Sequence, residues 1–304
     1  MDWLKLFLKG LGNRGANETT STTYTEGIPT AVTASLLEME EGDVIRPLVK
    51  TMPFPGPGLV QSTPIVSKLA SESDDTLANQ AVDSGTYAGS PSQATVGVHG
   101  TTVFLKEIAV LGAVDELMAV AGQLIGQSIV TRRDLDLATL FTSLTQNEGG
   151  ANTDIVPADL FAAYNFLRVR MVPLPYNLVL YPGHIWSAVG LIELFSNVAD
   201  ANHFSYAAAG GPGSVGEEFM RNGYAGKIFG FDLFADANIL VTSNNASGAA
   251  FGRNALKYVP KRDFRIDVLY SGQEVGWQVT GTEMWGEAVL KNNFGDEMQF
   301  NIDT

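Results

Sequence analysis

From Glu107 to Leu144 apolar residues return at helical spacing: Ile108, Leu111, Val114, Leu117 with Met118, Ala121, Leu124 with Ile125, and Ile129. Steps of three and four place them on one face of a helix. No proline lies between Val98 and Val156 to interrupt it. At 1.5 Å per residue the pattern predicts one helix of about 55 Å. The stripe shifts at Arg132-Arg133-Asp134 and resumes at Leu135, Ala138, Phe141 and Leu144, which predicts a bend or a break there. Gly112, Gly122 and Gly126 each cost about 1 kcal/mol relative to alanine inside a helix. Their presence predicts a bend or a close crossing by another segment.

The residues before this helix carry a different pattern. Met1 to Gly10 reads as a short amphipathic helix, with Trp3, Phe7 and Leu11 on one stripe and Asp2, Lys5 and Lys9 off it. Lys5 and Lys9 cut its apolar stretch and no small-residue cleavage site follows, so it does not read as a signal peptide. Docking on a protein surface is the preferred reading over membrane contact. Residues 12–35, rich in Gly, Asn, Thr and Ser, lack apolar periodicity and cannot offset their own ordering entropy. They predict an extended arm. Leu36–Val49 offers one apolar turn, and Pro53-Phe-Pro-Gly-Pro-Gly58 a stiff hinge. Leu59–Leu69 and Ala94–Phe104 are strand-like runs on either side of a polar tip, and together predict a long two-stranded arm. An isolated hairpin is marginal in water, so this one needs a surface to rest on.

Beyond Glu148–Asn152 the texture is mixed α/β. Pro157 opens a helix over Ala158–Met171, with Leu160, Phe161, Tyr164, Leu167 and Val169 on its buried side. Asn177–Tyr181 predicts a buried strand, ended by Pro182-Gly183, and His184–Ala199 a further helix. Ala207–Gly216 predicts a Gly- and Ala-rich loop. Strands follow at Lys227–Phe234, Ala249–Val259, Phe264–Tyr270, Gln273–Leu290 and Glu297–Ile302. No repeat of solenoid length is present.

Composition narrows the function. The chain has 304 residues, 45% of them hydrophobic, enough for one large or two ordinary domains. It has no cysteine, which excludes disulfides, thiolate metal sites and cysteine catalysis. A net charge of −14, spread along the chain, argues against a nucleic-acid binder, which needs a basic stripe. The balance is compatible with a surface that tolerates DNA nearby without adhering to it. The most apolar window, Ile108–Thr131, is interrupted by Asp115 and Glu116 and is too polar to span a membrane.

Candidate chemistry fails on context. The acidic group Glu38, Glu40, Glu41 and Asp43 matches no calcium loop and reads as a solvated helix face. Gly211-Pro-Gly-Ser-Val-Gly216, with Asp232 downstream, has the dinucleotide spacing but follows no buried strand. Gly226-Lys227 lacks the Ser or Thr and the glycine of a phosphate loop. His99, His184 and His203 form no zinc motif, and no serine sits in a nucleophile elbow. Trp277 and Trp285 read as core or interface anchors. We assign no catalytic, cofactor-binding or metal residue and expect no cofactor.

Three segments carry a resemblance. Asn177-Leu-Val-Leu-Tyr-Pro-Gly-His-Ile-Trp-Ser-Ala-Val-Gly-Leu-Ile192 looks like the strand, break and helix of the tailed-bacteriophage major capsid proteins of the Hong Kong phage type, a family that shares its fold with encapsulin compartments. Gly223–Phe234 resembles that family's glycine-punctuated strand entering the axial sheet, and Ala249–Ala255 the strand after the next loop. The order of parts matches along nearly the whole chain. The resemblance implies an α+β, Hong Kong 97-like fold. Its parts would be an N-terminal arm at 1–50, an extended hairpin loop at 51–105 and a peripheral domain with the spine helix at 106–150. An axial domain at 151–290 and a strand returning to the peripheral domain at 291–304 complete it.

It further implies a structural protein and not an enzyme. Copies of the chain would assemble into hexamers and pentamers of an icosahedral phage head enclosing double-stranded DNA without sequence-specific binding. Implied partners are the chain itself, with portal, scaffolding and cement proteins, and no membrane. The place of action would be the virion, assembled in the host cytoplasm. The leader is too short for a fused scaffolding domain, and neither Lys50 nor Lys68 matches the Lys–Asn cross-link of some relatives. The nearest alternative is an encapsulin-like shell around a protein cargo. An acidic hydrolase using Glu193, Glu217 or Glu283 and a secreted β-rich adhesin are the competing classes.

Overall fold

The computed structural model describes residues 31–39, 42–65, 91–106, 114–186, 191 and 224–302. The amphipathic start, most of the polar arm, the hairpin tip and the loop at 207–216 lie outside them, as do His203, Glu193 and Glu217.

A four-stranded sheet is built on two long strands, β11 (Leu256–Ser271) and β12 (Gly276–Val289), which pair antiparallel. Their alternation puts Ile266, Val268 and Val279 on one face. β4 (Gly97–Lys106) pairs antiparallel with β12, and β1 (Lys50–Thr51) parallel with β11, giving the order β1-β11-β12-β4. The register slips between Pro260 and Arg265, next to a proline that has no ladder N–H to give.

The long helix α2 (Val114–Thr139) packs on the inner face of this sheet, and a single-turn 3₁₀ helix (Leu140–Ser143) extends it. Met118 and Ile125 of α2 meet Val103, Leu105, Ile266, Val268 and Val279. Gly281 of β12 leaves the room that Ile125 fills: a Cβ there would stand 2.2 Å from Ile125 Cγ2. The helix passes through Arg132–Asp134 without the expected break. An earlier helix, α1 (31–39), crosses α2 at its glycines. A Cβ on Gly122 would lie 2.3 Å from the Ala31 carbonyl oxygen, and one on Gly126 2.7 Å from that of Ser35. The close crossing expected from these glycines is therefore present. Its partner includes residues 31–35, which the polar-arm reading left extended. They are helical because α2 gives Ala31 and Ser35 a fully buried seat.

The second sheet has the order β5-β13-β10-β6-β8-β7, with β9 (Val241–Thr242) on β10. Its members are β5 (Gln146–Gly149), β6 (Tyr176–Leu180), β7 (Tyr224–Ile228), β8 (Phe231–Ala235), β10 (Asn245–Gly252) and β13 (Gly295–Asn301). All five residues of β6 are buried, as a strand covered on both faces requires. On one face lies α3 (Pro157–Val169), seating Leu160, Ala163 and Leu167 against Tyr176, Leu178 and Phe231. On the other lie Leu137, Ala138 and Phe141 of α2 and the following turn, against Val179, Ala249 and Phe251. That same cluster contains Tyr258 and Trp285 of the first sheet, so the end of α2 joins both sheets in one core. A short helix, α4 (Pro182–Trp186), starts at the proline expected to end β6.

Several element readings are revised. The run Lys227–Phe234 is a hairpin, β7–β8, turning at Phe229 and Gly230, both with positive φ as a tight two-residue turn demands. Ala249–Val259 divides between β10 and β11, which belong to different sheets. β11 and β12 pair with each other and with β1 and β4 beside the long helix, and β13 pairs with β10 and β5. Alternation marks a strand but carries no information about its partner.

Candidate assembly surfaces

The expected long hairpin divides at its root. β2 (Val60–Thr63) pairs antiparallel with β3 (Ser92–Thr95), but the return run continues as β4 into the four-stranded sheet. So the arm's descending strand runs along its own subunit from Gly97 onward, and β3 before it is seated there too, with Ala94 and Val96 buried against Val259 and Ala288. Two lysines of β11 hold that root. Lys257 Nζ donates to Ser92 O (2.9 Å), Thr63 Oγ1 (3.0 Å) and Gln61 O (3.5 Å). Lys261 Nζ donates to Gly56 O and Gly58 O and lies over the Phe54 ring. Ser92 Oγ adds a bond to Val289 O.

The segment entering β1 is fixed by a second polar device. Arg133, fully buried, reaches both carboxylate oxygens of Asp43 (2.6 and 2.8 Å) and Oε2 of Glu283 (2.6 Å). Glu283 Oε1 accepts the Tyr258 hydroxyl at 2.8 Å. Burial opposes the charge on Arg133, but Asp43, Tyr258 and Glu283 outweigh it and its pKa is raised. Next along the helix, Asp134 accepts the N–H groups of Val44 and Ile45. Burial and the nearby Asp236 push its carboxyl up to about 7, against those two bonds. The stripe shift read from Arg132-Arg133-Asp134 thus marks where α2 grips the chain ninety residues earlier.

These contacts decide the fate of the residues weighed for chemistry. Glu283, a candidate hydrolytic acid, is spent on Arg133 and Tyr258. In the acidic group, Asp43 serves Arg133 and Arg46, and Glu38 accepts from Gln127; Glu40 and Glu41 lie outside the described residues. Lys227 pairs across the β7–β8 hairpin with Asp232. His99 stacks on Trp285 with ring centroids 3.8 Å apart. His184 is buried against the Phe300 carbonyl, and burial pushes it down to about 4. Trp277 packs edge-on with Tyr270 at the far end of β11–β12. Among the described residues no group of three or more His, Cys, Asp or Glu is placed to hold a metal, and no helix is long and apolar enough to cross a membrane.

What remains open to contact is apolar surface on exposed elements. Val98 of β4 and Leu269 of β11 are each 66% exposed on the sheet face turned away from α2. Leu36 and Leu37 of α1, and Val120 and Leu124 of α2, are exposed on the crossing helices. Leu59 and Val60 are exposed at the hairpin root. Exposed neighbouring apolar groups such as Leu36 with Leu37 and Leu59 with Val60 are candidates for contact with another protein surface.

No protein-family model matches the sequence, and no curated protein matches it significantly. The fold is similar to solved shells. An encapsulin complex of Synechococcus elongatus matches with a TM-score of 0.58 at 11% identity, over 98% of this chain and 96% of that one. The mature capsid of bacteriophage PhiM1 matches at 0.58 and 10% identity, over 85% and 87%. The capsid of cyanophage P-SCSP1u matches at 0.55 and 15% identity, over 84% and 87%. The fold is therefore the α+β, Hong Kong 97-like architecture of phage capsid proteins. The encapsulin of Synechococcus elongatus shares it.

Proposed function

We propose that this chain is the major capsid protein of a tailed-phage head, whose copies close as hexamers and pentamers into an icosahedral shell around double-stranded DNA. The observation that supports it is the fold likeness to capsid subunits over more than four fifths of the chain. The β2–β3 root and the exposed apolar groups of α1, α2 and the outer sheet face supply surfaces for neighbouring copies. Portal, scaffolding and cement proteins are the further partners this reading implies, with assembly in the host cytoplasm and function in the virion. The spread negative charge suits an inner surface that confines DNA without binding its sequence.

The encapsulin match, spanning 98% of the chain, favours a second reading as a shell around a protein cargo. Negative-stain microscopy of the purified protein tests both: closed particles of uniform diameter are expected. A monomer at every concentration, with no particles, overturns the shell reading. Nuclease-protected DNA inside the particles selects the phage head, and a protein cargo selects the encapsulin-like compartment.

A further inference from the structure

Lys257 sits in the middle of Leu256-Lys-Tyr-Val259, three neighbours that are fully buried and apolar or aromatic, and its own side chain is fully buried with them. Burial lowers its pKa, and among the described residues no carboxylate lies within salt-bridge distance of it. An ammonium has three protons to give, and three acceptors lie within reach, on Gln61, Thr63 and Ser92. All three belong to β2 and β3. Packing alone does not call for a charge here, because a methionine would fill a similar volume without the cost of desolvating an ammonium. What the ammonium adds to the seat of Ala94 and Val96 on Val259 and Ala288 is direction, since hydrogen bonds to acceptors on both strands of a two-stranded ribbon resist its rotation against the sheet. Four residues further along β11, Lys261 holds Gly56 and Gly58 of the segment that leads into β2.

We propose that Lys257 is a clasp that fixes the direction in which the β2–β3 hairpin leaves the body, and thereby the geometry in which a second copy of this chain receives it. The second half of this proposal rests on the shell reading; the first half does not.

The chain has no cysteine, so spin labels attach cleanly to cysteines introduced at exposed Gln93 of β3 and exposed Asn165 of α3. In the dissociated subunit the wild type should give one narrow distance distribution. Lys257→Met should widen it about twofold and raise the concentration threshold for shell formation about tenfold, the scale set by lost charge-assisted hydrogen bonds. Thr63→Val, which keeps the lysine and removes one acceptor, should move both readouts the same way by less. A merely stabilising lysine would lower the unfolding midpoint and leave the width unchanged, and that result overturns the proposal. If Lys257→Met does not fold, an unchanged width in folded Thr63→Val overturns it equally. Absence of shells from the wild type would sink the shell reading while the distance measurement still decides the clasp.

Discussion

Arg133 shows how one side chain can hold distant segments together. It is a buried cation shared by Asp43, ninety positions earlier, and Glu283, one hundred and fifty later. Arg133→Met would strand two carboxylates with little exposure, so a loss of about 3–5 kcal/mol is expected in denaturant unfolding. Asp296 presents the opposite case. It is fully buried on β13, neither carboxylate oxygen has a hydrogen-bond partner, and burial with Glu148 and Glu297 raises its pKa from 3.8 to about 7. Between those values the folded state keeps a proton that the unfolded chain has released. The stability from this group is therefore full below about pH 4 and lost as pH rises through 7. Asp296→Asn should shrink the difference in unfolding midpoint between pH 5 and pH 8; an unchanged difference would refute this. In the sequence both charges sit beside other charged residues, and nothing local identified which was buried in a pair and which was buried alone.

At the scale of elements, the crossing of α1 over α2 depends on two glycines one turn apart. Gly122→Val places side-chain atoms where the Ala31 carbonyl now lies, 2.3 Å from the Cβ position. The backbone oxygen cannot yield as a side chain would. We expect amide exchange across residues 31–39 to accelerate at least about tenfold, the scale of one lost packing contact, while β10 and β13 stay protected. Equal exchange in the two proteins would show that α1 is not seated by this crossing. The glycine spacing was visible in the sequence, whereas the identity of the crossing segment was not. β4 teaches the same lesson in strands. A strand-like run at Ala94–Phe104 was legible, but the partner of its β4 part is β12 and not the outgoing arm of the hairpin.

For the whole molecule, the shell reading makes the hairpin dispensable for folding and necessary for assembly. Deleting Ser71–Gly89 leaves β2, β3 and the lysines at their root in the chain. Its expected product is a subunit with an unfolding midpoint near that of the wild type and shell formation weakened or blocked. Loss of the folded subunit would contradict this, because every described residue of the four core clusters stays in the chain. The long helix is the member that makes the body one unit, since Ile129, Leu137, Ala138 and Phe141 share a cluster with strands of both sheets.

By itself the sequence determined the elements: the helical stripe of α2, the proline that starts α3, the buried strand β6 and the alternating strands that follow. These are set by contacts within a few residues, where periodicity and backbone restrictions act. It also carried a resemblance that named the fold. Only the tertiary structure decided how strands are shared between the two sheets, and that Arg133, Asp134 and Lys257 are clasps and not surface charges. Partners across 90 to 200 positions are chosen by shape, burial and hydrogen-bond satisfaction in three dimensions, which leave no periodic trace along the chain.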